Sequence, residues 1–321
     1  IMNGAVAMQT RVMDYLAERR RLGFELQSPG TALMDFARYV DSQGHAGPLT
    51  VGLMVGWARC DQKQQGKLAT WAKRLKLLRP FTRYLRQFEP LTEVPDWTVF
   101  GPIQERFTPH IYHDQEILDL LSVARGLAPK GGLRPSTYET LFGLIAAAGL
   151  RVSEAIHLLN ADADLEQGML TIRQTKFAKS RQLPLHPSTV AALLNYRQLR
   201  NRYVRNTAGM PFFVNSWGKR LGLGQVEWVF SKLRYQLGWP NRGAHQRPRI
   251  HDLRHTFAVR RVMLWHKHGT DIDQAMLALS TYLGHAKISN TYWYLTAVPE
   301  LMAVAADKFE LYAQASEVEH D

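Results

Sequence analysis

The sequence is poor in cysteine and in long apolar runs, and each shortage excludes a class of protein. Cys60 is the only cysteine among 321 residues, so no disulfide can form within one chain. The most apolar stretch, residues 141–150, is too short to cross a bilayer. Residues 1–21 contain no continuous apolar core of the kind that signal peptides have. These shortages exclude a disulfide-stabilised secreted domain and a membrane protein, and they predict a cytoplasmic location.

Acidic residues are also in short supply, and the balance of charge points to a polyanionic partner. The 40 lysines and arginines outnumber the 28 acidic residues, which gives a net charge of +12. Such an excess favours nucleic acid. Within residues 58–87 only Asp61 opposes the basic run Arg59, Lys63, Lys67, Lys73, Arg74, Lys76, Arg79, Arg83 and Arg86. We interpret this run as a phosphate-contacting surface, and the alternative is a solvated helix face.

The chain divides by composition into two helical regions and a linker. Residues 1–90 show helical periodicity, residues 91–107 are rich in proline with few periodic apolar positions, and residues 108–321 form a second domain. Two short strands, at residues 168–174 and 181–185, flank a polar turn in the second domain. The predicted fold is therefore mainly α, with a small helical domain followed by a larger helical domain that carries a short sheet.

Four local patterns give more detailed expectations. Thr31 and Thr50 each precede an amphipathic run and are predicted to cap helices. A further helix is predicted over residues 67–88, with a kink or break at Pro80. Another is predicted over residues 136–159.

Residues suited to phosphate chemistry recur along the second domain. Arginine presents a planar fork of donors that matches phosphate oxygens, histidine moves protons near neutral pH, and tyrosine can act as a nucleophile. In chain order the residues are Arg151 in Gly149-Leu150-Arg151-Val152-Ser153-Glu154, His251 and Arg254 in His251-Asp252-Leu253-Arg254, His285 in Leu283-Gly284-His285, and Tyr294. This order suggests a site built around one phosphate.

These motifs resemble those of the tyrosine recombinases, the family of phage integrases and bacterial dimer-resolving recombinases. The resemblance implies that Arg151 and Arg254 clamp the scissile phosphate and that His285 donates a hydrogen bond to it. It also implies that Tyr294 is the nucleophile and that His251 helps to move the tyrosine proton. The resemblance covers residues 108–310 strongly, whereas residues 1–90 resemble the family only as a helical, basic domain that clasps DNA.

The polar turn between the two predicted strands supplies a further candidate. In the family, the catalytic lysine lies in this turn, before a strand like Arg181-Gln182-Leu183-Pro184-Leu185. Lys176 is then the general acid that protonates the leaving 5′-oxygen, and its separation from Pro184 favours it over Lys179. A lysine in such a turn can also be merely solvated.

Three alternatives to these roles follow from the same residues. Arg151 could serve a structural ion pair with Glu154, one helical turn away, and that pair could also orient it. His251 and His255 stand four residues apart, as zinc ligands do, but no glutamate or cysteine pair accompanies them. Tyr292 is interpreted as structural because the family spacing from His285 selects Tyr294.

The resemblance implies conservative strand exchange on double-stranded DNA through a 3′-phosphotyrosyl link, without metal, ATP or other cofactor. It implies a bacterial protein that forms a homotetramer on paired DNA sites, and a partner recombinase or a DNA-bending accessory protein remains possible. The implied biological role is integration, excision or transposition of a mobile element. Residues 299–315 are predicted to form a helix that packs on its own core or on a neighbouring protomer. The alternatives are a type IB topoisomerase and a catalytically silent DNA-binding regulator.

Overall fold

The protein is described from a computed structural model that covers residues 7–60, 68–101, 108–173, 180–204, 207–240, 247–285 and 289–292. The chain divides into two compact units, Ile1–Arg106 and Phe107–Asp321. Both are mainly helical, which confirms the predicted fold class. Across these ranges no helix has the length and apolar character needed to span a membrane.

The first unit contains four helices around an apolar core. They are α1 (Met8–Arg21), α2 (Gln27–Ser42), α3 (Val51–Arg59) and α4 (Leu68–Leu85). Phe36 and Trp57 meet at the centre of this core, with their rings edge to face at 5.2 Å. The predicted cap at Thr50 is confirmed, because its Oγ1 accepts a hydrogen bond of 3.3 Å from the backbone N–H of Leu53.

Two helices of this unit differ from the sequence prediction. Helix α2 begins at Gln27 rather than after Thr31. Pro29 is compatible with this start because it lies in the first turn, where backbone N–H groups make no hydrogen bond within the helix. Of the predicted kink or break at Pro80 in α4, the break is absent, because the helix continues through that residue. Pro80 and Lys76 are both exposed, so the proline ring lies on the solvent side of the helix, where it disturbs the packing of the core least.

The basic run of this unit splits into two groups. The guanidinium of Arg74 lies 4.1 Å from the centre of the Trp57 ring and donates to the Trp57 carbonyl at 2.9 Å. Arg79 stacks on Trp97 at 5.6 Å. Arg74 thus packs on the core of the unit, whereas Arg79 packs on the exposed ring of Trp97. The exposed members of the run are Arg59, Lys73, Lys76, Arg83 and Arg86, and the members outside the described residues are Lys63 and Lys67.

The first part of the expected linker packs against the first unit. Phe100 is buried in its core, with its ring 5.9 Å from that of Trp71. The backbone N–H of Glu93 donates to the carbonyl of Leu49 at 2.8 Å. Residues 91–101 therefore belong to the first unit by their contacts.

The second unit surrounds a three-stranded sheet with helices. The helices are α5 (Asp114–Arg125), α6 (Leu133–Ala148), α7 (Val152–His157), α8 (Pro187–Asn201), α9 (Leu223–Leu237), α10 (Ile250–Lys267), α11 (Ile272–Leu283) and α12 (Ser289–Tyr292). The strands are β1 (Ala163–Asp164), β2 (Met169–Ile172) and β3 (Arg181–Pro184), all antiparallel and in that order. The two predicted strands are thus present as β2 and β3. Ile172 faces Arg181 across this pair, beside the turn.

The single helix predicted over residues 136–159 is two helices, broken at Gly149. Gly149 has a left-handed backbone with φ of 61°, and its N–H donates to the carbonyl of Ile145 at 2.9 Å, which ends α6. Arg151 is extended and begins α7 as its N-cap residue. The break therefore projects Arg151 from a helix start, where the sequence pattern had predicted a continuous helix.

Gly149→Ala is expected to lower the free energy of unfolding by about 2–4 kcal/mol. A Cβ at this position would be strained by the positive φ and would lie 2.4 Å from Cδ1 of Phe257. Gly238→Ala is the matched control, because Gly238 ends α9 with φ of 59° and nothing lies within 4 Å of its would-be Cβ. It should lose only the backbone strain, about 1 kcal/mol. If urea denaturation gave the same loss of unfolding free energy for both variants, the Phe257 side chain would be able to move aside at no cost.

Candidate active site

Arg254 lies at the centre of the site, buried beneath the surface of the second unit. It projects from the first turns of α10, and its side chain is 0% exposed. Its Nη1 donates to the carbonyl of Gly149 at 2.7 Å, and its Nη2 donates to that of Leu283 at 2.6 Å. A buried guanidinium is tolerated only when it is paired in this way. Arg254 therefore joins the break after α6 to the end of α11.

Glu154 connects this buried arginine with Arg151. One of its oxygens accepts from Arg151 Nη1 at 2.7 Å, and the other lies 3.8 Å from Arg254 Nη1. The ion pair that the sequence suggested between Arg151 and Glu154 is thus present. Burial opposes ionisation of the Glu154 carboxyl, but hydrogen bonds and charge from Arg181, together with Arg151 and Arg254, outweigh it and hold its pKa below the ordinary value. The carboxylate therefore stays charged and fixes both guanidinium groups.

Arg151 differs from Arg254 in its access to solvent. Its side chain is 31% exposed, and its Nη2 donates to the carbonyl of Gly284 at 3.2 Å. The two arginines thus reach the same helix end from different sides, one open and one buried. An incoming anion would meet Arg151 first.

His285 is placed by the way α11 ends. Gly284 has φ of 67° and donates its N–H to the carbonyl of Thr281 at 3.0 Å, while the N–H of His285 donates to that of Ser280 at 3.0 Å. This pair of bonds is a Schellman motif, which turns the chain sharply after a helix. The turn carries the imidazole of His285 to Arg254, with 3.0 Å between Nε2 and Nη2.

The contacts of His285 define which ring nitrogen carries the proton. A guanidinium can only donate, so Nε2 of His285 accepts from Arg254. Nδ1 therefore holds the proton and donates to Oγ1 of the buried Thr291 at 2.7 Å. Burial, with the charges of Arg254 and Arg151, lowers the pKa of His285 to about 3. The ring is thus neutral at physiological pH while no anion occupies the site.

His251 lies beside this cluster, in the first turn of α10 with part of its surface exposed. Loss of solvent around the ring, then the charges of Arg254 and Arg249, lower its pKa to about 4. A neutral imidazole can accept a proton. The buried ring of His255 meets it edge to face at 4.7 Å. Among the described residues, no group of three or more histidine, cysteine or acidic side chains could hold a metal ion.

Comparison with known proteins identifies the chain. The profile of the phage integrase family matches residues 113–300, more than half of the chain. The chain belongs to the phage integrase family. The predicted family is thereby confirmed, and with it the prediction of a DNA strand-transferring recombinase.

Individual relatives agree with the family match. A Sinorhizobium fredii protein named as an integrase/recombinase, y4rB, is 37% identical over 303 residues, which cover 93% of this chain and 96% of that protein. The tyrosine recombinase XerC of Pelotomaculum thermopropionicum is 27% identical over 238 residues, covering 73% and 72%. The Tn1549 transposon integrase, solved with transposon right end DNA, superposes with a TM-score of 0.70 at 14% identity, covering 96% and 100%. This last likeness shows the fold alone.

The structure brings together four of the six residues that the family resemblance selected. Arg151, Arg254 and His285 are joined by the contacts above, and His251 lies three residues before Arg254 at the start of α10. The other two, Lys176 and Tyr294, lie outside the described residues, so their places in this phage integrase family member remain predictions. Residues 299–315 also lie outside them.

Sequence reasoning missed two residues of this cluster, Thr291 and Arg181. Thr291 stands three residues before Tyr294, and that spacing was the only available signal for it. Arg181 belongs to the strand motif, but nothing local shows that its side chain reaches Glu154, 27 residues away. Both act on other side chains of the cluster, and such contacts are set by the tertiary fold.

Thr291→Val is expected to slow DNA cleavage about 10-fold with little change in DNA affinity. Valine keeps the shape of threonine but removes the oxygen that accepts from Nδ1 of His285, so a buried donor loses its partner. The measurement is the rate of covalent adduct formation on bound DNA. Thr281→Val, at the exposed end of α11, is the control and should cleave at the wild-type rate. A wild-type rate for Thr291→Val would mean that its hydroxyl does not hold the ring.

Proposed function

We propose that this protein cleaves and rejoins double-stranded DNA through a 3′-phosphotyrosyl intermediate, with its active site in the second unit. The main support is that Arg151, Arg254 and His285 meet at the end of α11, next to the carboxylate of Glu154. These side chains come from the starts of α7 and α10 and the end of α11. A cluster of two guanidinium groups and one imidazole fits the oxygens of a single phosphodiester.

The proposed chemistry needs no metal or nucleotide. The Tyr294 oxygen attacks phosphorus, a bond from that oxygen to phosphorus forms, and the bond to the 5′-oxygen breaks. Negative charge grows on the nonbridging oxygens, where Arg151 and Arg254 offer fixed positive charge. A free 5′-hydroxyl later attacks the same phosphorus and releases the tyrosine, so the phosphodiester is restored.

Two proton transfers accompany this exchange. His251, whose ring is neutral because its pKa is about 4, helps to take the phenolic proton of Tyr294. Lys176 delivers a proton to the departing 5′-oxygen. Burial, with the charges of Arg254 and Arg151, lowers the pKa of His285, and a bound phosphate anion opposes this shift because it favours the protonated imidazole. Once protonated, Nε2 of His285 no longer accepts from Arg254 and donates to a nonbridging oxygen instead.

The proposed partner is double-stranded DNA, which the first unit helps to bind. Its support is the net charge of +12 and the exposed stripe of Lys73, Lys76 and Arg83 on α4. These positions are three and seven residues apart, so they share one face of the helix. Contacts of this kind hold the DNA backbone without reading sequence, and they weaken as salt rises.

The proposed assembly is a homotetramer on two paired DNA sites. Exchange between two duplexes breaks four strands, and a single tyrosine can hold one strand end at a time, so four protomers are needed for a complete exchange. The proposed role is integration, excision or transposition of a mobile element. Its support is the similarity to the integrase/recombinase of Sinorhizobium fredii along 93% of the chain.

Covalent trapping on nicked DNA tests this function. Nicked duplexes that tile the DNA flanking the native gene are incubated with the protein in the absence of divalent metal and ATP. A nick beside the cleaved phosphate releases a short fragment, and the strand end stays on the tyrosine. We expect an adduct on a denaturing gel with a subset of duplexes, and DNA binding that falls steeply with salt.

Other outcomes of the same assay would select the alternatives. Binding of duplexes without an adduct on any of them would favour a silent DNA-binding regulator. Adducts on all duplexes, with relaxation of any supercoiled plasmid by a monomer, would favour a type IB topoisomerase. Adducts at one defined sequence, with recombination between two plasmids carrying it, would establish the recombinase.

A further inference from the structure

Arg181 contacts both Glu154 and the end of α11, yet it lacks a role in the chemistry above. It is the first residue of β3, and its side chain is 10% exposed. Its Nε donates to the carbonyl of Tyr282 at 2.7 Å. Its Nη1 and Nη2 donate to the two oxygens of Glu154 at 3.1 and 2.9 Å. All three nitrogen atoms of the guanidinium therefore have protein acceptors.

The pairing with Glu154 is the geometry that best fixes a carboxylate. Two parallel N–H···O bonds from one guanidinium hold the carboxylate plane as well as its distance. The same carboxylate accepts from Arg151 Nη1 at 2.7 Å and from its backbone N–H at 3.0 Å. Arg181 thus orients the residue that orients Arg151.

Arg181 also supports the end of α11, where His285 leaves the helix. A Cβ on Gly284 would lie 2.7 Å from Nη1 of Arg181, so the guanidinium packs flat against that glycine. Together with the bond to the Tyr282 carbonyl, this contact fixes the last turn of α11 against β3. The carbonyl of Gly284 is in turn the acceptor for Arg151 Nη2.

We propose that Arg181 is a positioning residue for strand cleavage: it locks Glu154 and the end of α11 together, and so sets the spacing between Arg151 and His285. The inference deepens the proposed function and rests on it. We assign Arg181 no direct contact with the phosphate, because both of its Nη atoms donate to a carboxylate, whereas those of Arg254 donate to neutral acceptors. A side chain that fixes the positions of two catalytic groups affects the cleavage rate of bound DNA, because small displacements of reacting groups slow the reaction strongly.

A double-mutant cycle between Arg181 and Glu154 tests the proposal. Arg181→Met, Glu154→Gln and the double variant are compared by single-turnover adduct formation on a nicked duplex that the wild type cleaves, at saturating protein. We expect each single variant to be about 100-fold slower, with DNA affinity within about 3-fold of wild type. The double variant should be no more than about 3-fold slower than the slower single variant, because both changes break one unit. A rate reduced by the product of the two effects would overturn the proposal.

Two further variants keep the test independent of folding. Arg181→Lys keeps the positive charge beside Glu154 but cannot make two parallel hydrogen bonds to its carboxylate, and it should cleave about 10-fold more slowly than wild type. A wild-type cleavage rate would show that the paired hydrogen bonds are not needed. Arg173→Met is the matched control on the other arm of the same hairpin. Arg173 is 57% exposed and pairs with Asp162 instead, so its loss should leave the rate within about 3-fold.

Hydrogen exchange separates this inference from the proposed function. In DNA-free protein, the amides of Gly284 and His285 are bonded to Thr281 and Ser280. Arg181→Met should speed their exchange about 10-fold, and Arg173→Met should not. Unchanged exchange would overturn the role of Arg181 at α11 even if the wild type cleaves DNA. Faster exchange in a protein whose wild type forms no adduct would instead count against the recombinase function alone.

Discussion

Replacing Tyr294 with phenylalanine is expected to abolish the covalent protein–DNA adduct, whereas Tyr292→Phe should form it as the wild type does. Phenylalanine keeps the ring but removes the oxygen that would attack phosphorus, so no other step can compensate. The adduct should fall below detection on a denaturing gel, which corresponds to a loss of at least about 10⁴-fold. Both variants should bind the same duplexes as the wild type.

The comparison of the two tyrosines is informative because they are two residues apart. Tyr292 ends α12, next to the buried Thr291 that holds His285. An adduct that persists in Tyr294→Phe and disappears in Tyr292→Phe would move the nucleophile to Tyr292. Loss of the adduct in both variants, with DNA binding intact, would mean that cleavage needs both tyrosines. The nucleophile would then be assigned by mapping the modified peptide of the wild-type adduct.

Arg254→Lys is expected to lower both activity and stability. Lysine keeps the charge, but one ammonium cannot reach the carbonyls of Gly149 and Leu283 together with Nε2 of His285, as the guanidinium does. At least one buried acceptor then loses its donor, which should cost about 2–4 kcal/mol of the free energy of unfolding. Loss of a preorganised charge near the phosphate should also slow adduct formation about 10²–10³-fold.

Arg151→Lys is the matched control for this double effect. Arg151 has a comparable role in the proposed chemistry, but its side chain is 31% exposed whereas that of Arg254 is 0% exposed. We expect a similar slowing of adduct formation with a loss of less than about 1 kcal/mol in urea denaturation. Equal losses of stability in the two variants would contradict the structural division between a buried and an accessible arginine.

Local signals explain which parts of the fold the sequence predicted well. The cap at Thr50 and the two strands on either side of the polar turn depend on residues close together in the chain, and all are present. The break at Gly149 was missed because the apolar spacing continues on both sides of it. The local signal was the glycine itself, which ends the helix with a positive φ, whereas its closeness to Phe257 is set by tertiary packing.

The sequence predicted which residues form the site but not the hydrogen bonds between them. The order of motifs along the chain selected Arg151, Arg254 and His285, which the structure joins. It did not show that Arg254 is buried, that His285 accepts from it, or that Arg181 reaches across 101 residues to the Tyr282 carbonyl. Hydrogen bonds between residues far apart in the chain produce no recognisable sequence pattern, so only the folded structure shows them.

The anchoring of Arg254 by peptide carbonyls has a consequence for directed evolution of this protein toward new DNA targets. Carbonyls of Gly149 and Leu283 exist whichever side chains those positions carry, so a library of side-chain changes cannot delete these acceptors. Backbone conformation at Gly149 is instead the constraint, since its φ of 61° excludes most other residues. A library that leaves Gly149 and Gly284 unchanged can therefore diversify other positions while it keeps the backbone acceptors that place the buried guanidinium.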